Sequence, residues 1–388
     1  MGQERGVQSG KGTQARSHQS AAAQKNTLRW YSTFGLVEVR ERIWRYAGAS
    51  YMRAFATRLD HILVDFGCEH SFAQASQRVL EHYGFEISPS VLRRATLEHA
   101  QRAQQLLEKE YRRSYRSSPE TGSEHVIAQV DGTMLCTVKK GKRNGKRPRE
   151  WHEIRLAAAQ AKGSSRSDYA ATFGSVGEVD RRWGHCARDA GRGLNSRVHC
   201  VGDGAQWIQL QSKEVFADQG HFLCDFYHVS EYLSEAAAVC RPENPKRWRK
   251  TQQARLRRGS AGMVLKELEK HLEVETISDE EAPVRKAHRY MNNRLLNMDY
   301  AGAMEMDLPI GSGLIESGHW HVLQARLKKA GAAWLSENAE KWLNCELYVP
   351  ITSGNPFGIE NSSTQSESHP RKPSMAIHSC IKMGIASR

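Results

Sequence analysis

The chain has 388 residues, with 56 Lys and Arg against 43 Asp and Glu, a net charge of +13 and a pI near 9.4. Hydrophobic residues make up 39% and charged residues 26%, an ordinary globular composition with length for two or three domains. No run approaches the roughly 18 apolar residues of a membrane span, and the charge favours polyanionic partners, nucleic acid ahead of an anionic membrane surface.

The eight cysteines are scattered with no C-x-x-C pair, and the N-terminus has no apolar leader. Both features point to reduced thiols in the cytoplasm. His185-Cys186 and His199-Cys200 form a loose set that could ligate zinc, although Cys200 lies in an apolar strand-like run that suits a core.

In chain order, residues 1–25 are rich in Gln, Ser and Gly and are expected to form a disordered tail. Residues 26–118 are expected to form a largely helical region, with a short strand over 34–45, where "FGLVEVRERIWR" alternates apolar and polar, before the period becomes helical from about Tyr51. Within it, "SFAQASQRVLEHYGFEISPSVLRRATLEHAQ" predicts two short helices around a glycine turn, with Ser88 as N-cap and Pro89 at the first position of the second. This is a helix-turn-helix-like, DNA-binding pattern that would aim Arg93 and Arg94 at phosphates. A helical hairpin that binds nothing is the alternative.

Residues 119–232 read as the first part of an α/β core. "HVIAQVDGTMLCTV" and "WHEIRLAAAQA" are strand-like and flank the basic loop "KKGKRNGKRPRE". Lys139, Lys140 and the five further cations of that loop repel one another unless an anion is near; a solvated loop is the alternative. Asp131-Gly132 reads equally as a tight turn or as a ligand at a strand end. "SRVHCVGDGAQWI" and "GHFLCDFYHVSEYLSEAAAVC" each run from strand to helix, which predicts a sheet with parallel strands.

Residues 233–305 read as all-helical. Their "RPENPKRWRKTQQARLRR" stretch, with Arg247, Trp248 and Arg249, fits phosphate tracking with base stacking, or else a solvated helix face. Residues 306–350 return to the core through a loop and a helix, "LPIGSGLIESGHWHVLQARL", and 351–388 form an irregular tail.

Three acids interrupt apolar segments: Asp131, Asp203 and Glu316. On a regular helix Glu316 shares a face with Trp320, Leu323 and Leu327, a stripe expected to be buried. A carboxylate at its end is costly unless paired or bound to metal. Three such acids converging suit two divalent cations, Mg²⁺ or Mn²⁺, acting on a phosphodiester.

"VDGT" at Asp131, "VGDGAQWI" at Asp203, "CDFYHVSEYL" at Asp225 and "LPIGSGLIES" at Glu316 resemble, in order and spacing, the blocks of DDE transposases of bacterial insertion sequences, the ISKra-type group in particular. The resemblance spans residues 125–345. It implies an α/β fold with a ribonuclease-H-like mixed-sheet core, an all-α insertion and an N-terminal helical DNA-binding region. It further implies a catalytic, metal-binding triad of Asp131, Asp203 and Glu316, with Asp225 and His228 supporting the site. Arg326, Lys328 and Lys329 would contact phosphates at transposon ends. The implied partners are double-stranded DNA, both ends and target, and further copies of the chain in a synaptic complex; the implied location is the cytoplasm, at the nucleoid, with no membrane. The chain departs from the pattern in Gly318-His319-Trp320 after Glu-Ser, and in the polar sequence from residue 351, which suggests a degenerate C-terminus. A relic that only binds DNA and a metal-dependent structure-selective nuclease are the rival readings.

Overall fold

A computed structural model describes residues 25–32, 35–42, 57–113, 118–139 and 148–348. The tails expected over 1–25 and 351–388 lie outside these residues, apart from Lys25, as does Lys140 in the basic loop.

Strands β1 (Lys25–Ser32) and β2 (Gly35–Arg42) pair antiparallel; β2 is the strand expected there, whereas β1 was not expected. Helices α1 (Thr57–Glu69), α2 (Phe72–Tyr83) and α3 (Pro89–Tyr111) follow. Their boundaries have local causes. Ser71 and Gln74 form a reciprocal capping box at the start of α2, and Gly84 ends it in the left-handed conformation, φ 69°. Ser88 caps α3 through the Val91 amide, and Pro89 supplies the pre-set first turn. The second helix is not short, however: α3 has 23 residues and buries Leu92, Ala95, Leu107 and Tyr111 along its length. It packs on α1 and on α13 (Ser336–Tyr348), the last helix among the described residues.

The core is a mixed α/β layer structure. In chain order it contains β3 (His125–Val138), β4 (Arg149–Ala161), β5 (Ser167–Thr172), α4 (Val176–Asp189), β6 (Arg197–Gly202), α5 (Gln206–Phe216) and β7 (Gly220–Cys224). The sheet order is β5-β4-β3-β6-β7, and a short strand β8 (Trp334–Leu335) joins the far end of β3. β3, β4 and β5 are antiparallel, whereas β3, β6 and β7 run parallel.

Side-chain alternation gives β3 two faces. Val126, Ala128 and Val130 pack under α4 and α5 with Trp183, Ile208 and Phe216. The opposite face carries Gln129, Asp131, Thr133 and Leu135, and Leu135 packs with Ile315, Leu323 and Trp342 from the end of the chain.

Between these parts stand α6 (Phe226–Cys240), α7 (Pro245–Arg257), α8 (Ala261–Glu269), α9 (Pro283–Asn292) and α10 (Tyr300–Glu305). They share a core of Leu233, Trp248, Leu256, Leu265, Met291 and Tyr300. α11 (Gly313–Gly318) and α12 (Ala325–Leu327) then flank a π-helical turn, His319–Gln324. No described helix is long and apolar enough to cross a membrane.

On α4, Asp180 is buried, and desolvation, reinforced by Glu214, raises its carboxyl to about 6. The folded state therefore holds a proton that the unfolded chain releases near the ordinary value of 3.8. Stability from this group falls as pH rises through roughly 4 to 6, and the full cost, on the order of 2 kcal/mol, persists above that window. Asp180→Asn should flatten this fall and raise the urea midpoint at pH 7, checked by denaturation at a series of pH values.

Candidate functional site

The parallel register lines three acids up. Gln129 pairs with Val201 at the end of the β3–β6 ladder, and Gly202 with Cys224 at the end of β6–β7. Continuing the ladders brings Asp131, in the middle of β3, level with Asp203 and Asp225, which follow directly on the C-terminal ends of β6 and β7. Ligands of open α/β sheets bind on this edge.

The three carboxylates differ in use. Asp131 lies within β3, paired opposite Leu156 rather than in a turn. Its Oδ1 accepts from the Gly132 amide at 2.8 Å and its Oδ2 faces His319 Nε2 at 3.0 Å. Asp203 is exposed and accepts from the Ala205 amide at 2.8 Å. Asp225 is only 3% exposed and is fully engaged. Its Oδ1 caps α6 at the Tyr227 and His228 amides, and its Oδ2 accepts from the Ser312 amide at 2.7 Å.

That last bond begins the placement of Glu316. The loop of residues 309–312 is pinned to the sheet at several points. His199 Nε2 donates to the Pro309 carbonyl at 2.8 Å, the Phe226 amide to Ile310 at 2.9 Å and Gln129 Nε2 to Gly311 at 3.2 Å. Gln129 Oε1 also accepts from the Ile315 amide at 2.8 Å, and Ser312 Oγ donates to Glu316 Oε1 at 3.1 Å. A side chain at Gly311 would begin 2.6 Å from the Tyr227 ring, which is why the loop needs glycine there.

The stripe expected around Glu316 is corrected. Leu323 and Leu327 are buried, but Glu316 and Trp320 are exposed, Trp320 by 63%. The π turn between them widens the helix and breaks the i, i+4, i+7 alignment, so Glu316 faces open space without being buried.

The Asp203 loop is held from the helical segment. Tyr290 donates its hydroxyl to the Asp203 carbonyl, and Arg294 Nε donates to Gly204 at 2.7 Å. His228 meets these acids only through its amide, which donates to Asp225. It pairs with Glu231 at 3.3 Å and stands edge-on to Tyr232 and Tyr290, so it supports the Asp203 loop at one remove.

Of the cations expected to meet DNA, Arg93, Arg94 and Arg247 are exposed. Lys139 is exposed but paired with Glu150 at 2.6 Å. Arg249 is partly buried and donates to Ser234 Oγ at 3.1 Å. Lys328 donates to Thr133 Oγ1, on the Asp131 face of β3; burial lowers its pKa, and Asp131 opposes that fall. Lys329 donates to the Glu69 carbonyl at 3.1 Å, and burial lowers its pKa as well.

Two residues are corrected. Trp248 is 7% exposed, anchored in the core of the helical segment, so its ring offers no face to a base. Arg326 is 6% exposed, with its guanidinium over Phe72 and Trp334 and Nε directed at the Gly67 carbonyl. It ties α1 and α2 to the core instead of meeting phosphate.

Gln129, His199, Tyr290, Arg294 and His319 were not anticipated. The signal for Gln129 was its place as the one polar residue in "VIAQV", two before Asp131.

Among the described residues no three His, Cys, Asp or Glu side chains stand close enough to hold a metal ion as they are, and Cys200 is wholly buried in the core. The acids still fit Mg²⁺ or Mn²⁺ in kind: all are hard oxygen donors, and Mg²⁺ takes only one or two carboxylates and keeps its waters.

Gly204 has φ +81°, and a Cβ there would meet the Tyr290 hydroxyl at 2.6 Å and Arg294 at 2.7 Å. Gly204→Ala should lower stability by about 1–3 kcal/mol through strain and loss of this cradle; the shift in urea midpoint measures it.

Residues 191–347 match the model of an uncharacterised protein family, UPF0236. That span takes in Asp203, Asp225 and Glu316 and leaves out Asp131. No curated protein matches the chain.

Proposed function

We propose that the chain is a DNA transposase of the DDE type, similar to the ISKra group, that cuts transposon ends and joins them to target DNA. The observation that carries this reading is the level alignment of Asp131, within β3, and Asp203, at the end of neighbouring β6, with the Glu316 turn hydrogen-bonded to β3. The strand order supports a ribonuclease-H-like core, with three antiparallel strands followed by two parallel ones. The helices α7 to α10, within the expected insertion of 233–305, support the reading, and the charge of +13 suits a DNA partner.

Asp131, Asp203 and Glu316 would hold Mg²⁺ or Mn²⁺, two ions in the full site, and such ions polarise an attacking oxygen and neutralise charge at phosphorus. The remaining work falls to the chain itself. Tyr290 and Arg294 fix the Asp203 loop, Asp225 and Gln129 fix the approach to Glu316, and Lys328 adds positive charge beside Asp131. Arg93, Arg94 and Arg247 are exposed cations available to the DNA backbone. End cleavage by water and joining by the freed 3′-hydroxyl are both displacements at phosphorus, so one arrangement of acids serves both and no covalent protein–DNA bond is needed. Synapsis of two ends calls for more than one copy of the chain, acting at the nucleoid.

Asp131→Asn, Asp203→Asn and Glu316→Gln should each abolish cleavage and joining of inverted-repeat DNA in Mg²⁺ while duplex binding stays near wild type, as read by gel assay of product and by fluorescence anisotropy. Full cleavage by any one variant removes that residue from the triad. Binding without cleavage by the wild-type chain supports a DNA-binding relic, and cleavage without strand transfer supports a nuclease.

A further inference from the structure

We infer that Gln129 and His319 are positioning residues, a two-point clamp that sets Glu316 against the middle of β3; this rests on reading Asp131 and Glu316 as reaction-site acids. Gln129 and Asp131 are two apart on a strand and share a face. Ile315 and His319 are four apart and bracket Glu316. The Gln129 amide accepts from Ile315 at 2.8 Å and donates to Gly311 at 3.2 Å. The His319 ring meets Asp131 Oδ2 at 3.0 Å. Each end of the Glu316 turn is thereby tied to a neighbouring position on one face of one strand.

The cost of these groups argues for their purpose. Gln129 is 0% exposed in an otherwise apolar strand segment, where an aliphatic side chain would avoid desolvating an amide. The amide stays because it satisfies one donor and one acceptor of a chain 182–186 residues away. His319 is 8% exposed, and its Nδ1 is buried with no partner among the described residues. The hydrogen-bond network therefore assigns the proton to Nε2, which donates to Asp131.

Neighbouring residues leave the turn little freedom. A Cβ at Gly318 would lie 2.6 Å from the Tyr169 ring and 2.9 Å from Leu156, so the backbone before His319 sits directly on the sheet. The π turn begins at His319, which leaves the ring facing β3 while Trp320 points outward. α11 runs directly into the π turn, so the two ties act at both ends of the turn that carries Glu316, beside the Ser312 bonds at its start.

The test uses the full chain and its Gln129→Met, His319→Ala and His319→Gln variants, with end-cleavage kinetics on inverted-repeat duplex, hydrogen exchange at the Ile315 amide, and melting curves. For Gln129→Met and His319→Ala we expect kcat to fall about 10- to 100-fold with KM for DNA within about twofold, the signature of misplaced acids with intact binding. His319→Gln should recover most of the loss, because its amide N–H can reach the position of Nε2. Ile315 exchange should quicken severalfold in Gln129→Met, because the amide keeps only its longer bond, 3.0 Å, to the Ser312 carbonyl. Unchanged kcat in both Gln129→Met and His319→Ala overturns the clamp, as does equal loss in His319→Gln and His319→Ala. A wild-type chain that cleaves nothing overturns the transposase reading instead. The clamp is then decided by exchange alone, and unchanged Ile315 protection in Gln129→Met refutes it.

Discussion

Residues 309–312 form no regular structure, yet the candidate site depends on them. Buried backbone groups outside a ladder or helix must find partners or lose a kilocalorie or more each. Here the partners come from the sheet: His199 on β6, Gln129 on β3, and Asp225 with the Phe226 amide after β7. The same bonds that satisfy the loop also aim it. Because three parallel strands each contribute, the position of Glu316 is coupled to their register, and a slip in any one strand would misplace the loop as well as an acid.

The two halves of the core are held differently. The Asp203 loop takes its shape from the helical segment, through Tyr290 and Arg294 and the aromatic stack of Tyr290 on Tyr232, centroids 4.3 Å apart. Asp131 and Glu316 take theirs from the sheet and the end of the chain. Motion of the helical segment against the sheet therefore changes the separation of Asp203 from the other two acids.

Much of this organisation was legible in the residues. "SPS" before a periodic run marks the start of α3 because Ser caps and Pro pre-sets the first turn. The long basic segment after Val138 was a better hairpin than Asp131-Gly132, and β3 runs unbroken through Asp131. What was not legible depends on tertiary context. Trp248 in a basic run resembles a stacking platform, but the helices of 226–305 need a core of their own and take it. Arg326 after an acid resembles a phosphate ligand until Phe72 and Trp334 close on it from distant parts of the chain. The regular period placed Glu316 and Trp320 with Leu323, and one wide turn divided them. Only a hydrogen-bond map separates that turn from an ordinary helix.

The packing of α3 on α13 joins residues 89–111 to residues 336–348. Arg326 and Lys329 likewise reach back to Gly67 and Glu69. Such distant pairings form late in folding, because closing the intervening loop must precede any reward from the contact. During synthesis the N-terminal helices and the first five core strands leave the ribosome long before the segment that completes them. A nascent or truncated chain thus displays β3 with its Gln129–Asp131 face uncovered and its acids unassembled. Glu316 therefore joins Asp131 and Asp203 only once residues 309–319 have docked on β3.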